Sequence, residues 1–477
     1  MSRKTFSIAV LLNLCVFLTA VGVLFAPSTA AVAAERPNIV VLLADDMNTD
    51  DLAVMPRTIE RMAQQGVQFT SYYTNVSLCG PARATFLTGR YTQNTRVNTN
   101  SHPQWVAAPN EYRNIAYWLN GAGYRTALIG KYMNAYPRPM PSGYIPPGWN
   151  YWFALQNGDI YKQYGYEIND NGETKVFGTA EEDYGVDVMR DRAIEFIRTA
   201  AADGVPYFCY LAFNAPHSPS TPPLRYATTF TSTALPTPPS FNEADVSDKP
   251  AYIQALPQLT TLKLSSLKTQ YRKRLRSLQA VDEAVAAVID AIGDIGLQNT
   301  YVIFASDNGY LLGQHRATGK SGPYEEMVRQ TLLIRGPAIG QALSIGALTG
   351  NADIVPTILE WTDVRPSIVL DGRSLAGWLG QNPPPEWRIG YPLRQWGTTG
   401  LIYPKFMGFR TSHHAYFLYA DGQQEFYDMV ADPYQLSNLA GELPPETLAS
   451  YAAVATDLAK CRGDTCRMLD RDPRLPD

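Results

Sequence analysis

An α/β fold, with a large, mostly parallel sheet flanked by helices and a smaller antiparallel sheet under one helix, is the architecture this sequence predicts. Three observations carry it. Strand-like apolar runs alternate with helical segments between Asn38 and Ala305, which is how parallel sheets with crossover helices appear in sequence. The Pro-rich segment Gln381-Asn-Pro-Pro-Pro-Glu386 interrupts that rhythm, and shorter strand-like runs follow it. At 477 residues the chain exceeds what one compact core normally holds.

In order, the first strand is Asn38–Leu43 (NIVVLL), followed by a helical stretch over Arg57–Gln65. A helix over Glu111–Asn120 precedes a strand at Arg125–Ile129, and a helix over Asp183–Ala202 precedes Pro206–Phe213. The insert Pro216–Pro257 is rich in Pro and Thr and predicts irregular structure. Inserts of this kind at strand ends often shape a pocket. The long helical segment Ser266–Ile292 leads into the strand Thr300–Ala305. Beyond the break, Phe406–Arg410, Ala415–Tyr419 and Glu425–Tyr427 predict a small antiparallel sheet, covered by a helix from Pro445 to Lys460. The expected organisation is therefore an export signal at 1–34, a catalytic domain at 35–380 and a small α+β subdomain at 381–477.

Residues 1–34 have a short basic start, a long apolar run and a small-residue end, Ala-Val-Ala-Ala, the pattern of a cleaved export signal. The alternative is a retained anchor, since Phe6–Phe25 is nearly long enough to span a bilayer. With 45% hydrophobic and 18% charged residues, disorder is excluded. The net charge is −4, and removing residues 1–34 takes away only Arg3 and Lys4. General binding to nucleic acid or to an anionic membrane is therefore disfavoured, and a negative substrate needs a local basic cluster. Cys15 leaves with the signal. Cys461-Arg-Gly-Asp-Thr-Cys466 forms a plausible small disulfide loop, and Cys209 lies in an apolar run as a packing residue. Cys79 is left without a partner.

Asp45 and Asp46 follow the first strand directly, and Ser306-Asp307-Asn308-Gly309 closes the strand YVIFA in the same way. Adjacent carboxylates at a strand end repel unless cations lie between them, and the alternative is a loop-opening or helix-capping pair. Together the two segments make a hard-oxygen site for Ca2+ or Mg2+. Ligands in such sheets bind beyond the C-terminal strand ends.

The segment Leu78-Cys79-Gly-Pro81-Ala-Arg83-Ala-Thr-Phe-Leu-Thr88-Gly89-Arg90 resembles the sulfatase signature Cys-x-Pro-x-Arg followed by Thr-Gly-Arg. The likeness continues through Arg36–Asp46, Gly130-Lys131-Tyr132, Asn214-Ala-Pro-His217, Gly313-Gln-His315, Lys320, Tyr324-Glu325 and Glu425–Pro433. Within the family, Gly130–Tyr136, Gly148–Trp152 and the final Cys-x-Gly-x-Thr-Cys look most like N-acetylglucosamine-6-sulfatases and extracellular heparan 6-sulfatases. The resemblance implies an alkaline-phosphatase-like fold. It also implies formylglycine made from Cys79 by a formylglycine-generating enzyme, one hydroxyl of whose hydrate attacks sulfur. Asp45, Asp46, Asp307 and Asn308, with residue 79, would hold the metal, usually Ca2+. Arg83 would orient the formylglycine, while Lys131, His217 and Lys320 would contact the sulfate or its leaving oxygen.

Many sulfatases carry a His three residues after the Lys, where this chain has Asn134. His315 is the nearest substitute by sequence context, equally readable as a supporting hydrogen-bonding residue. His102, His413 and His414 receive no role. The expected reaction is hydrolysis of a sulfate monoester on a sulfated sugar or other small molecule. Broad arylsulfatase, phosphonate or phosphodiester hydrolase, and non-catalytic glycan binder are the alternatives. The single sequon, Asn75-Val-Ser77, stands beside the proposed nucleophile, favouring a secreted or periplasmic protein over a lysosomal one.

Overall fold

Along β1 (Asn38–Ala44), alternate side chains enter two separate cores. Ile39, Val41 and Leu43 face one and Val40, Leu42 and Ala44 the other. A strand buried on both faces needs a helical layer on each side, and its apolar run is unbroken for that reason. The computed structural model describes residues 36–476 apart from 341, 381 and 398–401. The export signal expected at 1–34, with Cys15, lies outside the described residues.

The further strands of the large sheet are β2 (Val67–Tyr73), β3 (Arg125–Gly130), β4 (Tyr151–Leu155), β5 (Glu167–Asp170), β6 (Glu173–Val176), β7 (Tyr207–Ala212) and β8 (Thr300–Ser306). After them come a separate hairpin, β9 (Leu311–Leu312) with β10 (Thr318–Gly319), then β11 (Arg329–Arg335), β12 (Leu343–Ile345) and β13 (Thr349–Gly350). The large-sheet order is β12-β2-β11-β8-β1-β7-β3-β4-β5-β6, with β13 beside β2. From β8 to β4 all neighbours are parallel, as the alternating pattern predicts. The sheet is mixed because β11 runs antiparallel between β8 and β2, and β5 and β6 add an antiparallel edge.

The helices Gly185–Ala202 and Thr261–Asp294 cover one face through Met189, Phe196, Val281 and Val285. On the other face lie Cys79–Thr88, Ile115–Gly121 and Ile354–Thr362. Two expected helices are shorter or broken. Asn114 ends the 111–120 prediction early by capping a new helix, its side chain accepting the Ala116 and Tyr117 N–H groups at 3.0 and 3.2 Å. The 57–65 segment is a short α-turn, Pro56–Thr58, running into a π-turn, Ile59–Ala63. Its first N–H groups are capped by the buried Asp282 carboxylate, at 2.6 Å from Thr58. The insert 216–257 is irregular apart from single turns at Leu224–Tyr226 and Ala251–Gln254.

The small sheet runs β14 (Gly390–Gln395), β15 (Phe406–Thr411), β16 (His414–Tyr419) and β17 (Gln424–Asp428), all antiparallel. Its first strand was not expected. Phe409, Tyr416 and Phe426 pack under the helix Pro445–Leu458, while Phe406 and Phe417 join Tyr73, Tyr91 and Tyr324 of the larger layer. The two sheets thus share an apolar core. Cys461 and Cys466 are disulfide-bonded, and Cys209 is buried and free in β7.

At the end of β3, Gly130 has φ +102°, and a Cβ there would stand 2.1 Å from the Ala212 carbonyl oxygen. Gly204, at φ +64°, has open space around it. Gly130→Ala should therefore lower stability to urea unfolding by about 2–3 kcal/mol, against about 1 kcal/mol for Gly204→Ala. Equal losses for the two would show that the close approach at β3 is unimportant.

Candidate active site

Sheet register assembles the site. Ala44 of β1 pairs with Ser306 of β8, and Ala212 of β7 pairs with Leu43 of β1 and Gly130 of β3. The next residues, Asp45, Asp307 and Lys131, leave the parallel heart in one row at its C-terminal edge. From β7 the chain continues to His217, and on the way the Ala215 carbonyl accepts the Asp45 N–H at 3.1 Å. Lys320 arrives from the turn after β10.

Cys79 is the first residue of a ten-residue helix whose side chains are all buried. Its Sγ lies 3.3 Å from Asp45 Oδ1, 3.7 Å from Asp46 Oδ1 and 2.7 Å from Lys320 Nζ. Arg83, one turn further on, lies on the same face of the helix as Cys79. Its Nε donates to Asp307 Oδ2 at 2.9 Å and its Nη1 to the Lys131 carbonyl at 2.8 Å. Lys131 Nζ is 2.5 Å from Asp45 Oδ2, Lys320 Nζ pairs with Asp46, and His217 Nε2 is 3.5 Å from Asp46 Oδ2.

Charges balance in pairs. Burial disfavours the ionised Asp45, but Lys131, His217 and Arg83 outweigh it and hold the carboxyl below its ordinary range. For Asp46, burial is likewise outweighed by Lys320 and His217. Burial works against both lysines, yet Asp45 raises Lys131 and Asp46 raises Lys320, so both stay cationic. Burial lowers His217. The Cys79 thiol is pushed well up by burial and then by Asp45, so an unmodified sulfur here is neither ionised nor exposed.

A metal ion fits this donor set. Single ligand atoms of Asp45, Asp46, Cys79 and His217 lie within 4.8 Å of one another. Asn308 Oδ1 is buried with no hydrogen-bond partner among the described residues, while its Nδ2 donates to Asp46 Oδ1 at 2.6 Å. Orphaned buried oxygens are rare and point to a missing partner, and carboxylate and amide oxygens suit a hard divalent cation. Asp307 has a second duty: its Oδ1 accepts the Asp46 and Asn308 N–H groups at 3.1 and 2.8 Å, locking the two loops together. Asp46 itself sits at φ +66°, a costly conformation for a residue with a side chain. Its carbonyl accepts from the buried Arg274 at 2.6 Å, which helps hold it there.

Every residue expected from sequence joins this cluster except His315. Buried elsewhere, His315 places Nδ1 2.8 Å from Glu243 Oε2 and stacks its ring on Tyr324 at 4.0 Å. No hydrogen bond or ion pair among the described residues links it to Cys79 or its neighbours. Tyr161 was missed. Its ring stacks on His217 at 3.9 Å and 12°, and Lys131 Nζ lies 4.8 Å from the ring centroid. Asn134 Nδ2 donates to the Tyr161 hydroxyl at 2.7 Å, so Asn134 supports a ring between His217 and Lys131. Nothing local marks Tyr161 among 29 tyrosines.

The sulfatase family model matches residues 37–364, which include every residue of this cluster. This chain belongs to the sulfatase family. It is 36% identical over 351 residues to the extracellular sulfatase SULF-1 homolog of Drosophila melanogaster, covering 71% of this chain and 31% of that protein. The chain spans less than half the length of the extracellular sulfatases it matches. Human N-acetylglucosamine-6-sulfatase is 29% identical over 485 residues, covering 92% of this chain and 87% of that protein. A solved structure in complex with its substrate D-glucosamine-2-N,6-O-disulfate superposes with a TM-score of 0.77 at 22% identity, covering 93% of this chain and 100% of that one. The fold is the alkaline-phosphatase-like one of sulfatases.

If Tyr161 fixes His217 and Lys131, losing its ring should cost more than losing its hydroxyl. Tyr161→Leu should lower kcat for a sulfate ester about 100-fold, and Tyr161→Phe less than about 10-fold. Indistinguishable rates for the two variants would remove the stacking role.

Proposed function

We propose that this chain hydrolyses a sulfate monoester to an alcohol and inorganic sulfate, with residue 79 converted to formylglycine. The observation that carries this reading is the buried Cys79, a poor thiol nucleophile, among two carboxylates, two lysine ammonium groups and the His217 imidazole. Hydrated formylglycine supplies one hydroxyl to attack sulfur and a second to expel sulfate. Asp45, Asp46, Asp307 and Asn308, with residue 79, would hold Ca2+ or Mg2+, which supplies charge against the sulfate oxygens.

The basic side chains divide by exposure. The Arg83 and Lys131 side chains are 0% exposed, whereas those of His217 and Lys320 are 15% and 13% exposed. Arg83 and Lys131 are assigned to orienting residue 79 and offsetting Asp45 and Asp307. His217 and Lys320 meet the incoming ester, where charge grows on the bridging oxygen as the S–O bond breaks. The lysine offers a fixed positive charge there and the imidazole a proton to exchange with the alcohol.

The substrate supported best is a 6-O-sulfated N-acetylglucosamine, alone or at a glycan end. Support comes from the likeness to N-acetylglucosamine-6-sulfatase and from the cationic front of the site. Residues 1–34 are read as an export signal, giving a secreted or periplasmic enzyme matured by a formylglycine-generating enzyme. Among the described residues no helix is long and apolar enough to cross a membrane.

Peptide mass spectrometry of active protein should show residue 79 as an aldehyde, and chelation should remove turnover. Full activity with an unmodified thiol, or in metal-free protein, would refute the mechanism. Because a sugar alkoxide leaves less readily than a phenolate, His217→Ala and Lys320→Ala should each slow sugar-sulfate hydrolysis at least about 10-fold more than aryl-sulfate hydrolysis. Comparable losses would remove the leaving-group role, and a wild-type kcat/KM favouring aryl sulfate or aryl phosphodiester would overturn the substrate assignment.

A further inference from the structure

Arg90 follows the helix Cys79–Thr88 at the end away from Cys79, about 15 Å along the axis at 1.5 Å per residue. It lines a cavity of about 640 Å³ together with Arg96, Arg113 and Arg462. Ile368 and the exposed Val369 form the apolar part of its wall. The volume lies in the range of small-molecule sites.

In a chain of net charge −4, four arginines around one cavity are a local exception. The hydrogen-bond partners of the Arg90 and Arg462 side chains are neutral groups. Arg90 is only 7% exposed, and its guanidinium donates to neutral groups, the Asn94 carbonyl at 3.1 Å and Asn110 Oδ1 at 2.6 Å. Its Nε is buried with no hydrogen-bond partner among the described residues. Arg462 Nε reaches only the Asn94 side-chain oxygen, at 3.4 Å. The carboxylate on the wall, Asp464, is paired with Arg467. Asp371, buried, accepts from the Tyr91 N–H, Asn94 Nδ2 and the Gly463 N–H at 2.7, 2.7 and 2.6 Å. Burial of Arg90, with Arg113 and Arg462 adding like charge, pulls its pKa down to about 10 against the opposing pull of Asp371. The cluster is thus held together at an electrostatic cost that a bound anion would relieve.

We propose that this cavity is a second anion site, separate from residue 79, that binds a sulfated saccharide. Planar guanidinium groups match sulfate oxygens in pairs, and Arg96, Arg113 and Arg462 bring three of them to the wall beside Arg90. Ile368 and Val369 suit the apolar C–H face of a sugar ring, which a bare oxyanion would leave uncovered. The disulfide between Cys461 and Cys466 closes the loop that carries Arg462, so this wall is covalently restrained.

The test uses the full chain with Cys79→Ala, which removes turnover, and a fluorescent heparin-derived hexasaccharide. Adding Arg113→Ser and Arg462→Ser, both at exposed positions, should weaken binding at least about tenfold without shifting thermal unfolding. A control pair of equal charge change on exposed residues elsewhere, Arg198→Ser and Lys268→Ser, should leave binding unchanged. Unweakened binding in the first pair, or equal weakening in the control, overturns the site. Inorganic sulfate competing as well as the hexasaccharide at equal concentration overturns the saccharide assignment. The choice of saccharide rests on the sugar-sulfate reading above. Failure of that reading would appear as missing hydrolysis, and failure of this one as unaltered binding.

Discussion

Two adjacent carboxylates, Asp45 and Asp46, are buried where the parallel heart of the sheet ends, and both remain ionised. Isolated, either charge would cost several kcal/mol to bury, and side by side they repel. The rest of the site answers that constraint. Lys131 comes from β3, Lys320 from beyond β10, Arg83 from the buried helix and His217 from beyond β7, each bringing positive charge or a donor to one of the two oxygens pairs. Breaking one of these pairs leaves an uncompensated buried charge.

Backbone geometry enforces the same constraint. Asp46 is held left-handed while its N–H and carbonyl are bound by Asp307 and Arg274. Gly130 turns sharply at the end of β3, where only a missing Cβ lets the strand approach Ala212 before the chain releases Lys131. The site therefore borrows its rigidity from the most buried strands, and the irregular insert 216–257 contributes His217 from a chain already anchored at Ala215.

Legibility followed locality. The spacing Cys79-x-x-x-Arg83 is one helical turn, so a short motif contains its own geometry. The continuous apolar runs of β1, β7 and β8 reveal strands buried on both faces, and the acids just beyond them mark the edge where ligands bind. Less legible were β11, whose antiparallel placement no periodicity encodes, and the break before Ile115, which depends on one capping Asn114 side chain. His315 stands close in sequence to Lys320, yet in the turn of the β9–β10 hairpin its ring lies against Glu243 and Tyr324.

By itself, the sequence determined the α/β class, the parallel heart and the small antiparallel sheet, because each is written in a period of a few residues, and it marked the charged residues at the strand ends. Only tertiary structure decided that Tyr161 lies between His217 and Lys131, that Asn308 keeps a bare oxygen toward Asp46's neighbourhood, and that four arginines from separate segments ring one cavity. These contacts join residues far apart in the chain. Their geometry follows from strand register and core packing, which no local pattern specifies.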